Sequence, residues 1–442
     1  MRIKETFPDQ IKQELDKAIS ESIEASKQEY GNSETAFTRK SELTKERMIK
    51  FLLSMSGGSL QKELYKAGIS AGKSAFSQRR NQISNLDFFD ILERFNQTNS
   101  NLKTYKGFRV LAADGTCVNL PRNPNAESFV QNASNPRGYN QFHVNPLYDV
   151  LNKTFEHCVI QPQPKQDEVG ALRFMLDWYD FPKKTLIVAD RGYESYNLIA
   201  HFLENKVDFL IRVKQDKSAM REVKKLPMVT LDTDVSFTIT TTQTNEDKVK
   251  GHILLQVQKN ENRIYSPNTK AKRWDFPSPY PMKFRVVRFM LNTGEYETLI
   301  TSLKRGSDGF SPEELKELYH SRWGIETAFR ELKYSVGLVN LHGRKDEFVR
   351  QEIYAAMIMS NFCSRIANEV VIQHRKKNIY EYKVDMKMAI FLCKEFYATD
   401  GADGEKLMRD IAKYTEPIRP GRRDERNLKI KSFPGFVYRI SA

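Results

Sequence analysis

Three observations predict an α/β fold with helical ends. Two short apolar runs, Val110-Leu111-Ala112-Ala113 and Thr185-Leu186-Ile187-Val188-Ala189, are each followed at once by an acid and read as buried strands. Helix-forming, polar stretches lie before the first strand signals and after the last. Between about 214 and 297 the pattern turns threonine-rich and alternating, as in a β-rich insertion.

The order of elements follows from these signals. Residues 1–104 read as a helical N-terminal DNA-binding region, whose first strong apolar run is Met48 to Leu53. Within it, Ser59 to Ser70 reads as a helix stopped by Gly68, and Ser74 to Ile83 as a second helix carrying Ser77, Gln78, Arg79, Arg80 and Asn81. Helix, glycine turn and basic helix are the parts of a helix-turn-helix, although such pairs also occur in proteins that touch no DNA. In 105–213, the runs Gln141–Val150 and Thr154–Ile160 flank a short turn and read as a hairpin beyond the Asp114 strand. Helical patterns near 167–180 and 194–205 bracket the Asp190 strand, and Val207–Val213 follows as a further strand. Three strands, helix, strand, helix, strand is the order of a ribonuclease-H-like catalytic core. The insertion spans 214–297, with strand patterns at Val235–Thr240 and His252–Val257. In it Lys270, Lys272 and Arg273 surround Trp274; this aromatic could stack on an extruded base, but packs more often against a sheet, and Tyr265 and Tyr280 are equally open. The second part of the core, 298–370, contains a helix begun by Ser311, with Pro312 in its first turn and the acids Glu313 and Glu314 behind it. Residues 371–442 read as a helical, basic C-terminal region whose tail includes Arg419, Arg422, Arg423 and Arg426. No internal repeat is visible.

The chemistry concentrates on the helix after Ser311. Tyr319, Arg322, Glu326, Arg330 and Lys333 follow at spacings of three, four, four and three. At ~100° per residue they fall in an arc of roughly 80° on one helix face. Apolar Leu318, Ile325, Ala328, Phe329, Leu332 and Val336 occupy the neighbouring flank and would turn it toward a core. An isolated stripe of this kind is more often a solvated face with internal ion pairs. Here it has company: Asp114-Gly115 and Asp190-Arg191-Gly192 close the two apolar runs. An Asp ending a strand is commonly a turn former. Two such acids with Glu326 form a hard-oxygen set able to hold two Mg²⁺ ions for in-line phosphoryl displacement, beside cations and a phenol that can grip phosphates. Asp149, Glu168 and His143 lie nearby in sequence, but none has a spacing that marks it as a ligand.

On these residues the chain resembles the DDE transposases of bacterial insertion sequences, specifically the insertion-sequence-four family with its Tyr-Arg-Glu-Lys signature. That signature is Tyr, two residues, Arg, three, Glu, six, Lys, and it is met without a gap at Tyr319, Arg322, Glu326 and Lys333. The first acid resembles Asp114 in Ala-Ala-Asp-Gly-Thr and the second Asp190 in Val-Ala-Asp-Arg-Gly-Tyr. The resemblance covers roughly 60–370. It implies a ribonuclease-H-like core with a β-rich insertion, and a catalytic and metal-binding triad of Asp114, Asp190 and Glu326 holding two Mg²⁺, for which Mn²⁺ can substitute. It implies DNA contacts through Tyr319, Arg322 and Lys333, with the adjoining Arg191 and Arg330 as further backbone contacts. It also implies cut-and-paste movement through a hairpin intermediate, with double-stranded DNA of the terminal inverted repeats and the target as substrate, and a homodimer bridging two ends.

Composition agrees. The 442 residues exceed a usual single core, and 70 basic against 56 acidic residues give a net charge of +14, which favours a polyanionic partner. No apolar run approaches the ~18 residues of a spanning helix, and the N-terminus lacks a signal-peptide core, so a cytoplasmic protein is expected and membrane attachment is not; the resemblance implies a bacterial one, associated with the nucleoid when bound to DNA. Cys117, Cys158, Cys363 and Cys393 form no paired ligand motif. Two other readings share part of this pattern: a domesticated nuclease that keeps the triad, and a non-catalytic DNA-binding repressor of transposition.

Overall fold

The computed structural model describes residues 6–29, 37, 41–133, 135–215, 219–257, 273–306, 309–372, 380–419 and 436. Tyr265, Lys270, Lys272, Arg422, Arg423 and Arg426 lie outside them.

The chain begins with five helices: α1 (Phe7–Glu29), α2 (Lys45–Ser54), α3 (Leu60–Lys66), α4 (Lys73–Arg80) and α5 (Asn85–Gln97). Five strands follow: β1 (Arg109–Ala113), β2 (Thr116–Leu120), β3 (Phe129–Asn132), β4 (Asn135–Asp149) and β5 (Thr154–Pro162). Next come α6 (Glu168–Trp178), β6 (Thr185–Ala189), α7 (Tyr196–Glu204), β7 (Asp208–Arg212), α8 (Arg221–Lys224), β8 (Leu231–Thr240), α9 (Asn245–Val249), β9 (Ile253–Leu254), β10 (Tyr280–Met290) and β11 (Tyr296–Thr301). The last part contains α10 (Pro312–Ser321), α11 (Trp323–Arg330), α12 (Asp346–Ala367), β12 (Tyr382–Val384), α13 (Met386–Ala398), α14 (Gly404–Lys413) and β13 (Thr415–Pro417).

These elements form two compact units, each built from separated stretches of chain. The first comprises 1–103, 115–166 and 324–442. Its centre is α12, where Phe348, Val349, Ile353, Met357, Ile358, Phe362 and Ile366 are all buried beneath α1, α2, α5 and α13. Each such side chain contributes on the order of 2 kcal/mol by leaving water. In its sheet β2, β3 and β5 all pair with β4, antiparallel. Asn361 of α12 ties helix to sheet: its Oδ1 accepts from the Phe155 amide at 2.7 Å and its Nδ2 donates to the Phe155 carbonyl at 2.7 Å. Strands β2 and β3 were not anticipated, because each is four or five residues long with no continuous apolar run.

The second unit comprises 104–114 and 167–323. Strands β1, β6 and β7 run parallel, with α7 crossing between β6 and β7. Their near-continuous burial is that of parallel strands covered on both faces. Strands β11, β10 and β8 continue the same sheet in antiparallel fashion, with β9 at the edge. The threonine-rich stretch thus adds strands to this sheet; its second alternating run shrinks to the two residues of β9.

Candidate active site

In the second unit the register of β1 and β6 decides the geometry. Val110 lies opposite Leu186, and the pairing runs on to Ala113 opposite Ala189. Asp114 and Asp190 therefore leave the sheet side by side, from strands about 4.8 Å apart. Asp190, extended at φ −82° and ψ −177°, caps the short 3₁₀ turn Arg191–Tyr193, its Oδ1 accepting from the Gly192 amide at 2.7 Å. A Cβ at Gly192 would stand 2.9 Å from that oxygen, so glycine here lets the turn close on the carboxylate. Below it Tyr193 is 2% exposed. Burial raises its phenol well above the usual range, and Glu168, Asp114 and Asp190 add to the rise while Arg322 opposes it.

Arg322 belongs to the same unit. Its Nη1 stands 3.4 Å from Asp114 Oδ2, with the side chain 6% exposed. The guanidinium lies 5.1 Å from the Trp323 ring centre and 5.9 Å from that of Tyr319. Tyr319 is buried, and burial raises its phenol against Arg322 and Arg212, which lower it. Two acids, Arg322 and Tyr319 are thus gathered by β1, β6 and the end of α10. Arg191 is exposed.

The rest of the signature lies in the first unit, and the helix that carries it is not one regular helix. α10 ends at Ser321, Arg322 makes a turn, α11 runs to Arg330, and Glu331–Val336 wind as a π-helix closed by Gly337 at φ 102°. Bonding to the fifth residue instead of the fourth changes the angle per residue, so the single arc drawn at the helical spacing ends at Arg330. Leu318, Ile325, Ala328, Phe329, Leu332 and Val336 are buried, as their flank predicts. Glu326 is half-buried and Arg330 exposed. Lys333 is half-buried and donates to Thr116 Oγ1 at 2.7 Å; burial lowers its ammonium below the ordinary lysine value. Among the described residues no three side chains of His, Cys, Asp and Glu gather as a metal-binding group.

Several other candidates have partners within the fold. Arg80 of α4 is 2% exposed: Nη1 meets Glu352 at 2.9 Å, Nε donates to Gln351 at 2.7 Å and Nη2 to the Phe348 carbonyl at 2.7 Å. Although burial raises the Glu352 carboxyl, Arg80 and His342 draw it down to about 2. A buried carboxylate needs such a partner, so Arg80 is a core cation and does not reach for bases. Asn81 accepts from Lys345 at 2.9 Å. Trp274 packs edge-on against Phe276 and Tyr280, and the Tyr280 hydroxyl donates to Glu204 at 2.8 Å, so both aromatics have packing partners. Asp149 is a turn former whose Oδ1 accepts from the amides of Leu151 and Asn152.

The residues that sequence reasoning passed over are Thr116, Trp323, Tyr193 and Glu168. Thr116 and Trp323 stand inside the quoted motifs, and adjacency was the only signal they gave. Glu168, whose spacing does not mark it as a ligand, is among the acids acting on Tyr193.

The family described as transposase DDE domain matches residues 105–362, more than half of the chain. Among solved structures the chain is similar to the piggyBac transposase in its synaptic complex with hairpin DNA, determined by cryo-electron microscopy. That similarity has a TM-score of 0.43 and 14% identity over 96% of this chain and 89% of that one. No curated protein matches the sequence.

Proposed function

Because the chain belongs to the family of transposases with a DDE domain, we propose that it is the transposase of an insertion sequence of the insertion-sequence-four kind, with a ribonuclease-H-like core. Its reaction would cut DNA at the element's ends and join them to target DNA by metal-dependent phosphoryl transfer. The observation that carries this reading is the register of β1 and β6, which delivers Asp114 and Asp190 from neighbouring strand ends.

The donor set fits the implied ions. Carboxylate oxygens are the ligands that Mg²⁺ prefers, and Asp190 is fixed in rotation by the Gly192 amide. Asp114, Asp190 and Glu326 would hold two Mg²⁺, or Mn²⁺ in their place. Such ions, when bound, supply Lewis-acid activation of the attacking oxygen and relief of charge on the leaving oxygen. Arg322 tempers the negative charge at Asp114, and contact with a phosphate of the cleaved end belongs to the same reading. Tyr319 supports that guanidinium, and Lys333, held by the neutral hydroxyl of Thr116, would meet a second phosphate. Arg191 and Arg330, both exposed, would add backbone contacts that carry no sequence information. The hairpin intermediate and a pair of protomers bridging two ends belong to the same reading, and the net charge of +14 suits it.

The test is a cleavage and strand-transfer assay on labelled duplexes carrying the inverted repeats that flank the gene, with Mg²⁺ or EDTA. Metal-dependent nicking at the repeat boundary followed by joining, both lost in Glu326→Ala while end binding persists, is the expected result. Cleavage without joining would indicate a domesticated nuclease, and binding without cleavage a repressor.

A further inference from the structure

One buried polar pair in the first unit has no part in the chemistry above. His143 and Asn145, two apart on β4, are each 2% exposed, while Phe142 and Val144 on the opposite face are fully buried apolar residues. An imidazole and an amide buried together cost free energy unless hydrogen-bonded, and two apolar side chains would pack there more cheaply. Their bonds have a direction. Asn145 Nδ2 donates to the Val159 carbonyl at 3.2 Å and to Gln161 Oε1 at 3.3 Å, which turns its Oδ1 to His143 Nδ1 at 2.8 Å. An amide oxygen only accepts, so Nδ1 carries the proton and the ring is fixed in both tautomer and plane.

The ring's other edge meets the turn after Asp114. A Cβ at Gly115 would stand 2.2 Å from His143 Cε1, 2.9 Å from Nε2 and 2.9 Å from Asn145 Oδ1. No side chain fits there: glycine is required because the imidazole lies against the backbone. Gly115 stands between Asp114 and Thr116, and Thr116 takes the Lys333 hydrogen bond. One contact therefore sets the backbone between an acid and the anchor of a cation.

We infer that His143, oriented by Asn145, is a positioning residue of the phosphoryl-transfer site: its imidazole braces Gly115 so that Asp114 presents its carboxylate to the metal. This rests on the reading of Asp114 as a ligand. The ring acts through the backbone, as groups behind a ligand commonly do, and loss of such support typically weakens metal binding by roughly 10–100-fold.

The experiment measures Mn²⁺ binding to the full chain without DNA, by loss of the free-ion electron paramagnetic resonance signal, alongside the metal dependence of end cleavage. His143→Asn keeps a donor toward Asn145 but removes the edge at Gly115. It is expected to weaken Mn²⁺ binding and raise the metal needed for half-maximal cleavage, each by about tenfold, with little change in melting temperature. Gly115→Ala, which collides with the ring, is expected to do worse, and the double variant Gly115→Ala with His143→Asn to recover part of the way toward His143→Asn alone, since the Asn145 oxygen still stands 2.9 Å from the new Cβ. Unchanged Mn²⁺ affinity in His143→Asn, or a Gly115→Ala defect that persists in full without the ring, would overturn the inference. A wild-type chain that binds no Mn²⁺ would instead overturn the ligand reading, and the inference with it.

Discussion

Arg322 and Lys333, eleven residues apart, are held in opposite ways. Arg322 is nearly sealed, its guanidinium 3.4 Å from the Asp114 carboxylate and flanked by Tyr319 and Trp323. Lys333 is half-buried and held by a single hydroxyl, that of Thr116. The first spends part of its charge on an acid of the site and is geometrically fixed. The second keeps its charge for a ligand, and burial makes that charge easier to lose. On the proposed function, the difference would make Arg322 an inner cation that tunes and positions the acids and Lys333 an outer one that grips the substrate.

Breaking the inner cation should have the largest effect. Arg322→Ala leaves the Asp114 carboxylate without its guanidinium and strips two ring contacts, so end cleavage should fall by roughly 10²-fold. Stability should drop by about 2 kcal/mol, below the usual cost of a broken buried pair because Asp114 is partly exposed. Single-turnover cleavage and thermal unfolding check both; a variant with cleavage intact would erase the contrast between the two cations.

A smaller effect is expected at the second acid. In Gly192→Ala the new Cβ crowds Asp190 Oδ1 at 2.9 Å, and the carboxylate must swing away from the amide that caps the turn. The cost is about 1 kcal/mol, with a rise in the metal concentration needed for cleavage. A metal titration identical to wild type would show that this turn does not orient Asp190.

On the outer cation, Thr116→Val removes the hydroxyl and keeps the shape. Losing one hydrogen bond of this kind costs about 1 kcal/mol, so end affinity should fall a few-fold while the cleavage rate at saturating DNA holds. A fall in rate at saturation would move Lys333 into the inner class.

The sharpest version of the comparison uses pH. Because the Lys333 ammonium is lowered by burial, the folded chain binds fewer protons than the unfolded one between that lowered value and ~10.4. Its destabilising effect is therefore full below the lowered value and fades as pH rises through the window, and the proposed grip on a phosphate would fade in the same direction. Lys333→Arg, charged throughout, should hold end affinity on the alkaline side where wild type loses it. Equal losses in both chains would contradict an ammonium that titrates early.

Much of this was legible in the residues, and the gaps have physical causes. The runs ending at Ala113 and Ala189 announce strands because four or five consecutive apolar or small residues suit a position buried on both faces. Their pairing, which makes neighbours of the two acids, depends on long-range hydrogen bonding that no local pattern encodes. The π-helix at Glu331–Val336 stayed hidden because its residues are good helix formers and only the backbone bonding changes. Arg80 misled because a basic residue on a polar helix resembles a phosphate contact until Glu352, far away in sequence, is seen to need it. The buried pair His143 and Asn145 gave no spacing signal, since alternate residues on a strand carry polar side chains for many reasons.

The central claim is that Asp114, Asp190 and Glu326 hold the ions of the reaction. Its most direct test loads the DNA-bound chain with Fe²⁺ in place of Mg²⁺ and adds ascorbate and peroxide, so that radicals born at the metal cut the nearby backbone. The account predicts fragments from cuts close to residues 114, 190 and 326, all suppressed by excess Mg²⁺. Cuts confined to other segments, or cuts at these three that excess Mg²⁺ leaves unchanged, would contradict it.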